Sequence, residues 1–168
     1  MNVVYDLITD GLFAAIAGMG FGAISDPPLK AFPSIGILAA LGHALRYALM
    51  NYAGIDIASA SFCAALLIGF VSLLLGERLR CPMTVLYIPA LLPMIPGMYA
   101  YRAVFSLIMF MQNIDSPALS GEYMAALQLN ATVTVTVIFS LAVGATLPIF
   151  LFKERAYSMT REKPRNRK

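Results

Sequence analysis

Residues 87–102 read YIPALLPMIPGMYAYR, three prolines in eight positions followed at once by a glycine. One proline inside a helix removes a hydrogen-bond donor and drives its ring against the preceding turn, at ~3 kcal/mol in a soluble helix. Pro89, Pro93 and Pro96, closed off by Gly97, therefore predict a helix that breaks. The apolar run that holds them covers residues 83 to 111, long enough to cross ~30 Å of hydrocarbon, and residue 97 is its midpoint. Lipid offers no hydrogen bonds, so a break at that depth has to turn its freed backbone groups toward protein or a wet cavity. A half-helix that starts near Gly97 and runs outward presents unpaired N–H groups and the positive end of its dipole there, which is an anion site in principle. A kinked helix that only packs on a neighbour is the other reading of the same prolines.

Outward from this stretch, apolar runs cover 4 to 24, 57 to 76 and 122 to 152, each long enough to span a bilayer. The segment 32 to 51 has the right length but carries His43 and Arg46, which lower its hydropathy. Loop charge decides in its favour. With five spans the inner loops hold Lys30, Arg78 and Arg80, while the outer segments NYAGID and QNIDSPALSGE hold no Lys or Arg. Seven of the twelve Lys and Arg lie in the last sixteen residues, KERAYSMTREKPRNRK, expected to be a basic cytoplasmic tail over 153–168 beside anionic headgroups. The expectation is an all-α polytopic membrane helix bundle of about five transmembrane helices, one transmembrane domain over 1–152, with its amino terminus outside and its carboxyl terminus inside.

Composition agrees. Of 168 residues, 60% are hydrophobic and 12% charged, and mean hydropathy is +0.76, far from a soluble domain. The first residues carry Asp6 and Asp10 where a secretory signal carries Lys or Arg, so the first run is read as a retained span. The basic tail has one aromatic, Tyr157, and no run of aromatics interleaved with its charges, so nucleic acid is set aside as a ligand. One histidine and two cysteines, Cys63 and Cys81, do not make a metal or haem site, and no cofactor is expected. No serine–histidine–acid set and no paired catalytic carboxylates stand at membrane depth, so the chain is not read as an enzyme. Small residues recur every fourth position, Ala14, Gly18 and Gly22, then Ser61, Ala65 and Gly69, faces on which helices approach closely within the chain or against a partner.

The remaining polar residues of the spans are the candidate site. His43 and Arg46 stand at i and i+3 and share a helix face, at roughly 12 Å and 7 Å below the outer end of their span by helical rise. Arg46 reads as a substrate clamp, as a snorkelling side chain, or as a partner of Asp10 on the first span. His43 reads as a proton carrier with Asp10 or as a hydrogen-bonding link between helices. Beyond the break, Tyr101 and Arg102 face outward depth, and Asn130 and Thr134 lie one turn apart on the last span, where hydroxyls line a polar path or bond back to their own carbonyls. Two guanidiniums, one imidazole and a helix amino end favour a carboxylate substrate. An odd number of spans suits one half of a transporter whose counterpart is another polypeptide. A purely structural membrane subunit fits the small-residue faces equally well.

GHALRYALMNYAG, ASFCAALLIGF and IPALLPMIPGMYAYRA together carry a resemblance. They look like the small subunit of the threonine/serine exporter family, over about residues 3 to 153, and within it are most similar to the short subunits of two-component bacterial succinate exporters. Pro93, Pro96, Gly97 and Tyr101 match a Pro-x-x-Pro-Gly-x-x-x-Tyr pattern, and His43 and Arg46 match Gly-His-x-x-Arg. The resemblance implies a larger membrane-embedded partner subunit, with higher oligomers open, in the bacterial inner membrane. It also implies ion-driven export of dicarboxylates such as succinate, or of threonine- and serine-type amino acids. Arg102 departs from the small uncharged residue expected after that tyrosine.

Overall fold

The computed structural model describes residues 3–152; the expected basic tail lies outside them. Six helices follow in order: α1 (Val3–Ile24), α2 (Phe32–Asn51), α3 (Ile57–Leu79), α4 (Met83–Leu91), α5 (Gly97–Gln112) and α6 (Pro117–Leu151). Short 3-10 turns at Leu29–Ala31 and Leu92–Met94 lead into α2 and out of α4. Four of the helices are long and apolar enough to cross a membrane, and the α4–α5 pair, bent by 54°, counts as a fifth when taken as one broken span. The chain is a multi-pass membrane protein of the expected class. The segment with His43 and Arg46 is a full helix, α2, and α6 starts at Pro117 rather than near 122. At 35 residues, α6 is ~52 Å long by helical rise, well beyond hydrocarbon thickness, so it tilts or emerges into the headgroups.

Local chemistry sets the ends. Asp56 is the N-cap of α3, and its Oδ2 accepts hydrogen bonds from the N–H groups of Ala58 (3.0 Å) and Ser59 (2.9 Å). The Ser59 N–H holds this carboxyl below its ordinary 3.8. The cap therefore contributes fully above that value and is lost as pH falls through the lower, folded one. Melting temperature in detergent should show this acid-labile component in the wild type, and Asp56→Asn should lose it; an identical pH profile for both would refute the capping role. At the other end of α3, Arg80 takes a left-handed conformation (φ 53°), and the Cys81 N–H closes the helix on the Gly76 carbonyl at 3.2 Å.

Helices meet through their small residues. Ala14, Gly18 and Gly22 are buried on α1, and Ser61, Ala65 and Gly69 on α3, and both stripes are used inside the chain. The α1 stripe faces α2, where a Cβ on Gly18 would stand 2.7 Å from the Ala39 Cβ. The α3 stripe faces α6: a Cβ on Gly69 would meet the Ala145 carbonyl oxygen at 2.7 Å, and one on Gly144 the Phe62 carbonyl oxygen at 2.8 Å. Dispersion between closely approaching backbones is the main attraction left between helices in lipid. Ile35, Leu38, Ile68, Leu86 and Met94 fill the centre. The first half of the broken span, α4, lies against α1, α2 and α3, whereas α5 rests mainly on α6. The bend thus carries the fourth span from one group of helices to another.

Candidate functional site

The break is written by its prolines. Pro93 opens no hydrogen bond back into α4, which tightens into the 3-10 turn Leu92–Met94. Ile95, preceding a proline, is extended at φ −61° and ψ 130°. Pro96 follows at φ −79° and ψ 62°, and α5 begins at Gly97 without a side-chain cap. No atom lies within 4 Å of where a Gly97 side chain would start, so the first turn of α5 faces open space.

One freed carbonyl at this break has a partner. The Met94 side chain is fully buried, and its carbonyl oxygen accepts a 2.7 Å hydrogen bond from Arg46 Nη1 on α2. The other arm of that guanidinium, Nη2, is 3.3 Å from His43 Nε2, and His43 Nδ1 is 2.5 Å from Asp10 Oδ2 on α1. The His43 and Asp10 side chains are 19% and 24% exposed. Asp10 reaches the ring because the next residue, Gly11, is buried against Ala40, whose carbonyl oxygen would stand 3.4 Å from an added Cβ. Three spans are thus joined by one polar chain: Asp10, His43, Arg46 and the Met94 carbonyl. Arg46 does not pair directly with Asp10, because His43 stands between them.

The other sequence-selected residues lie apart from this chain. Asn130, 8% exposed, donates to the Ala126 carbonyl at 2.7 Å, and the Thr134 hydroxyl donates to the Asn130 carbonyl at 2.7 Å. Thr136 bonds back to Thr132 in the same way, so these rows satisfy themselves within α6. Tyr101 is 65% exposed and stacks on Phe105, with centroids 6.3 Å apart. Arg102 is exposed on α5, with no hydrogen bond or ion pair among the described residues.

Residues 10–151 match the model of the family described as "Threonine/Serine exporter, ThrE". The chain belongs to the threonine/serine exporter family. The match opens at Asp10 and closes at the end of α6, so it includes the polar chain, the break and the α3–α6 crossing. An uncharacterized protein of Haemophilus influenzae (strain ATCC 51907 / DSM 11121 / KW20 / Rd) is 33% identical over 141 residues, covering 84% of this chain and 47% of the relative. This exporter-family chain therefore spans about half the length of the curated relative it matches. No solved structure matches it.

Sequence reasoning found every side chain of the polar chain but missed the acceptor that ends it. The prolines announce that carbonyls are freed near residue 95; which cation reaches which carbonyl depends on how α2 and α4 pack, and no local pattern in an exporter-family sequence carries that.

Proposed function

We propose that this chain is one subunit of a secondary transporter that exports small carboxylates, a dicarboxylate such as succinate first among them, together with a larger membrane subunit. The carrying observation is the polar chain that ends on the broken fourth span. Arg46, Gly97, Tyr101, Arg102, Asn130 and Thr134 are proposed to face the substrate path, with His43 and Asp10 coupling it to protons. Pro93 and Pro96 keep the break that opens the first turn of α5. Export of threonine- or serine-type amino acids is the second reading, favoured by the family's own description. It needs an acceptor for the substrate's ammonium, and Asp10 is already engaged by His43.

A partner suits α5. Met98, Tyr101, Val104, Phe105, Ile108 and Met111 are exposed on it, with Arg102 among them. A cation turned out of the bundle toward lipid costs ~2.5–3.5 kcal/mol at the helix centre, so protein or a wet path belongs against that face. The relative's additional length is what such a partner would contribute. The proposed location is a bacterial inner membrane, as the family likeness implies, with the amino terminus outside, the orientation that the loop charges favour.

Gly97→Leu tests the site, because an added Cβ there meets no packed neighbour within 4 Å and membrane abundance reads folding separately. In membrane vesicles preloaded with labelled succinate, the variant should reach wild-type abundance and lose at least ~90% of efflux, a shift of at least ~1.4 kcal/mol in barrier. Undiminished efflux at equal abundance would remove the break from the path. Counterflow with labelled threonine in place of succinate decides between the two substrates.

A further inference from the structure

The polar chain dictates the protonation of its own central ring. A carboxylate only accepts hydrogen bonds and a guanidinium only donates them. With Asp10 Oδ2 on Nδ1 and Arg46 Nη2 on Nε2, the ring hydrogen belongs on Nδ1 and the free lone pair on Nε2. His43 is therefore neutral in this arrangement, in the tautomer its two neighbours impose. A second proton has one place to go, and that is the atom Arg46 occupies. N–H would then face N–H, and two cations would stand together, so protonation of Nε2 and the Arg46 contact exclude one another.

Among the described residues, Arg46 is also the side chain that hydrogen-bonds the break: it holds the Met94 carbonyl, and neither the 3-10 turn nor α5 has a side-chain cap. We propose that a proton arriving from the aqueous phase on His43 Nε2 displaces the Arg46 guanidinium and thereby releases the 92–96 break. Proton uptake and the geometry of the broken span are then one equilibrium. Asp10 remains ionised and stabilises the imidazolium, which makes protonation feasible at membrane depth. The guanidinium that leaves is a cation without a partner beside an uncapped helix start, the chemistry that takes a carboxylate. Anion capture thus follows proton uptake. This deepens the export reading above and rests on it only for that last step.

The surroundings of the ring do not compete with this assignment. α1 brings Asp10, with Asp6 one turn earlier; α2 itself brings Arg46 and Tyr47. The titratable group of α4 is Tyr87, while α3 brings Cys63, and holds Glu77 and Arg78 at its far end. Among the described residues, Asp10 and Arg46 alone hydrogen-bond the imidazole.

The chain contains one histidine, so the ring is directly observable. Full-length protein labelled with 15N-histidine in lipid nanodiscs should show Nδ1–H with a bare Nε2 at high pH, and both nitrogens protonated at low pH. A nitroxide on Met98→Cys, with Cys63 and Cys81 replaced by serine, reports the start of α5. Its mobile fraction should rise severalfold at the pH where the ring titrates. His43→Gln should keep it immobile at every pH, and Arg46→Gln, or Arg46→Ala if the first does not accumulate, should leave it mobile at every pH. An Nε2–H tautomer, a mobility that ignores the titration, or Arg46 variants that behave as wild type would each overturn the proposal. No substrate enters these measurements, so failure of succinate and threonine counterflow beside an intact switch would sink the export reading alone.

Discussion

Gly144→Leu should leave almost no folded protein, while Gly121→Leu, on the same helix, should be indistinguishable from wild type. The difference lies in what each Cβ meets. At Gly144 it meets the Phe62 carbonyl oxygen at 2.8 Å and the Ala65 Cβ at 3.0 Å; at Gly121 it meets nothing within 4 Å. Overpacking a core costs ~1–3 kcal/mol when side chains can move aside, and backbone cannot. Gly69 faces the same crossing from the other side, its Cβ position 2.7 Å from the Ala145 oxygen, so there is no slack on either helix. Forcing α3 and α6 apart also strips dispersion contacts along the whole crossing, a loss comparable with the ~5–15 kcal/mol that holds a typical fold together. Abundance in membranes and the melting temperature in detergent, followed by gel filtration, read the result. A Gly144→Leu protein that melts with the wild type would mean that α3 and α6 do not cross at these glycines.

That crossing also marks where the sequence stops being sufficient. Four-residue spacing of Ser61, Ala65 and Gly69 identifies a close-packing face, yet nothing in the spacing says that it meets Gly144, 79 residues beyond Ala65, rather than another chain. The break was legible for a local reason: Pro93, Pro96 and Gly97 act on their own backbone, and no neighbour is needed to know that the helix stops. The doubtful second span was recoverable because loop charge is a property of the whole chain. The links of the polar chain were not. Asp10 and His43 are 33 residues apart, Arg46 and Met94 are 48 apart, and only the packing of α2 against α1 and α4 selects those pairs. Asn130 and Thr134 show the reverse case, a polar row suggestive in sequence whose hydrogen bonds close within its own helix turn.

Arg46→Ala is expected to lower export by at least ~100-fold, a barrier increase of ~2.7 kcal/mol, while most of the protein still folds. The structural cost is bounded: the Met94 carbonyl is left buried and unpaired, worth ~1–3 kcal/mol, and His43 loses the donor on Nε2. That destabilises a bundle without emptying it, and membrane abundance normalises the flux. Lysine should not rescue. Arg46 reaches Met94 with Nη1 and His43 with Nη2, two directions at once from a planar fork, and an ammonium on a flexible stem can replace one of them only. If Arg46→Lys restores the wild-type rate, a point charge is all the site needs, and the two-armed bridge between imidazole and break is incidental. If both variants export normally at equal abundance, neither the clamp nor the bridge takes part in transport. Loss in both, with the nitroxide at residue 98 mobile at every pH in Arg46→Ala, ties the export step to the release of the break.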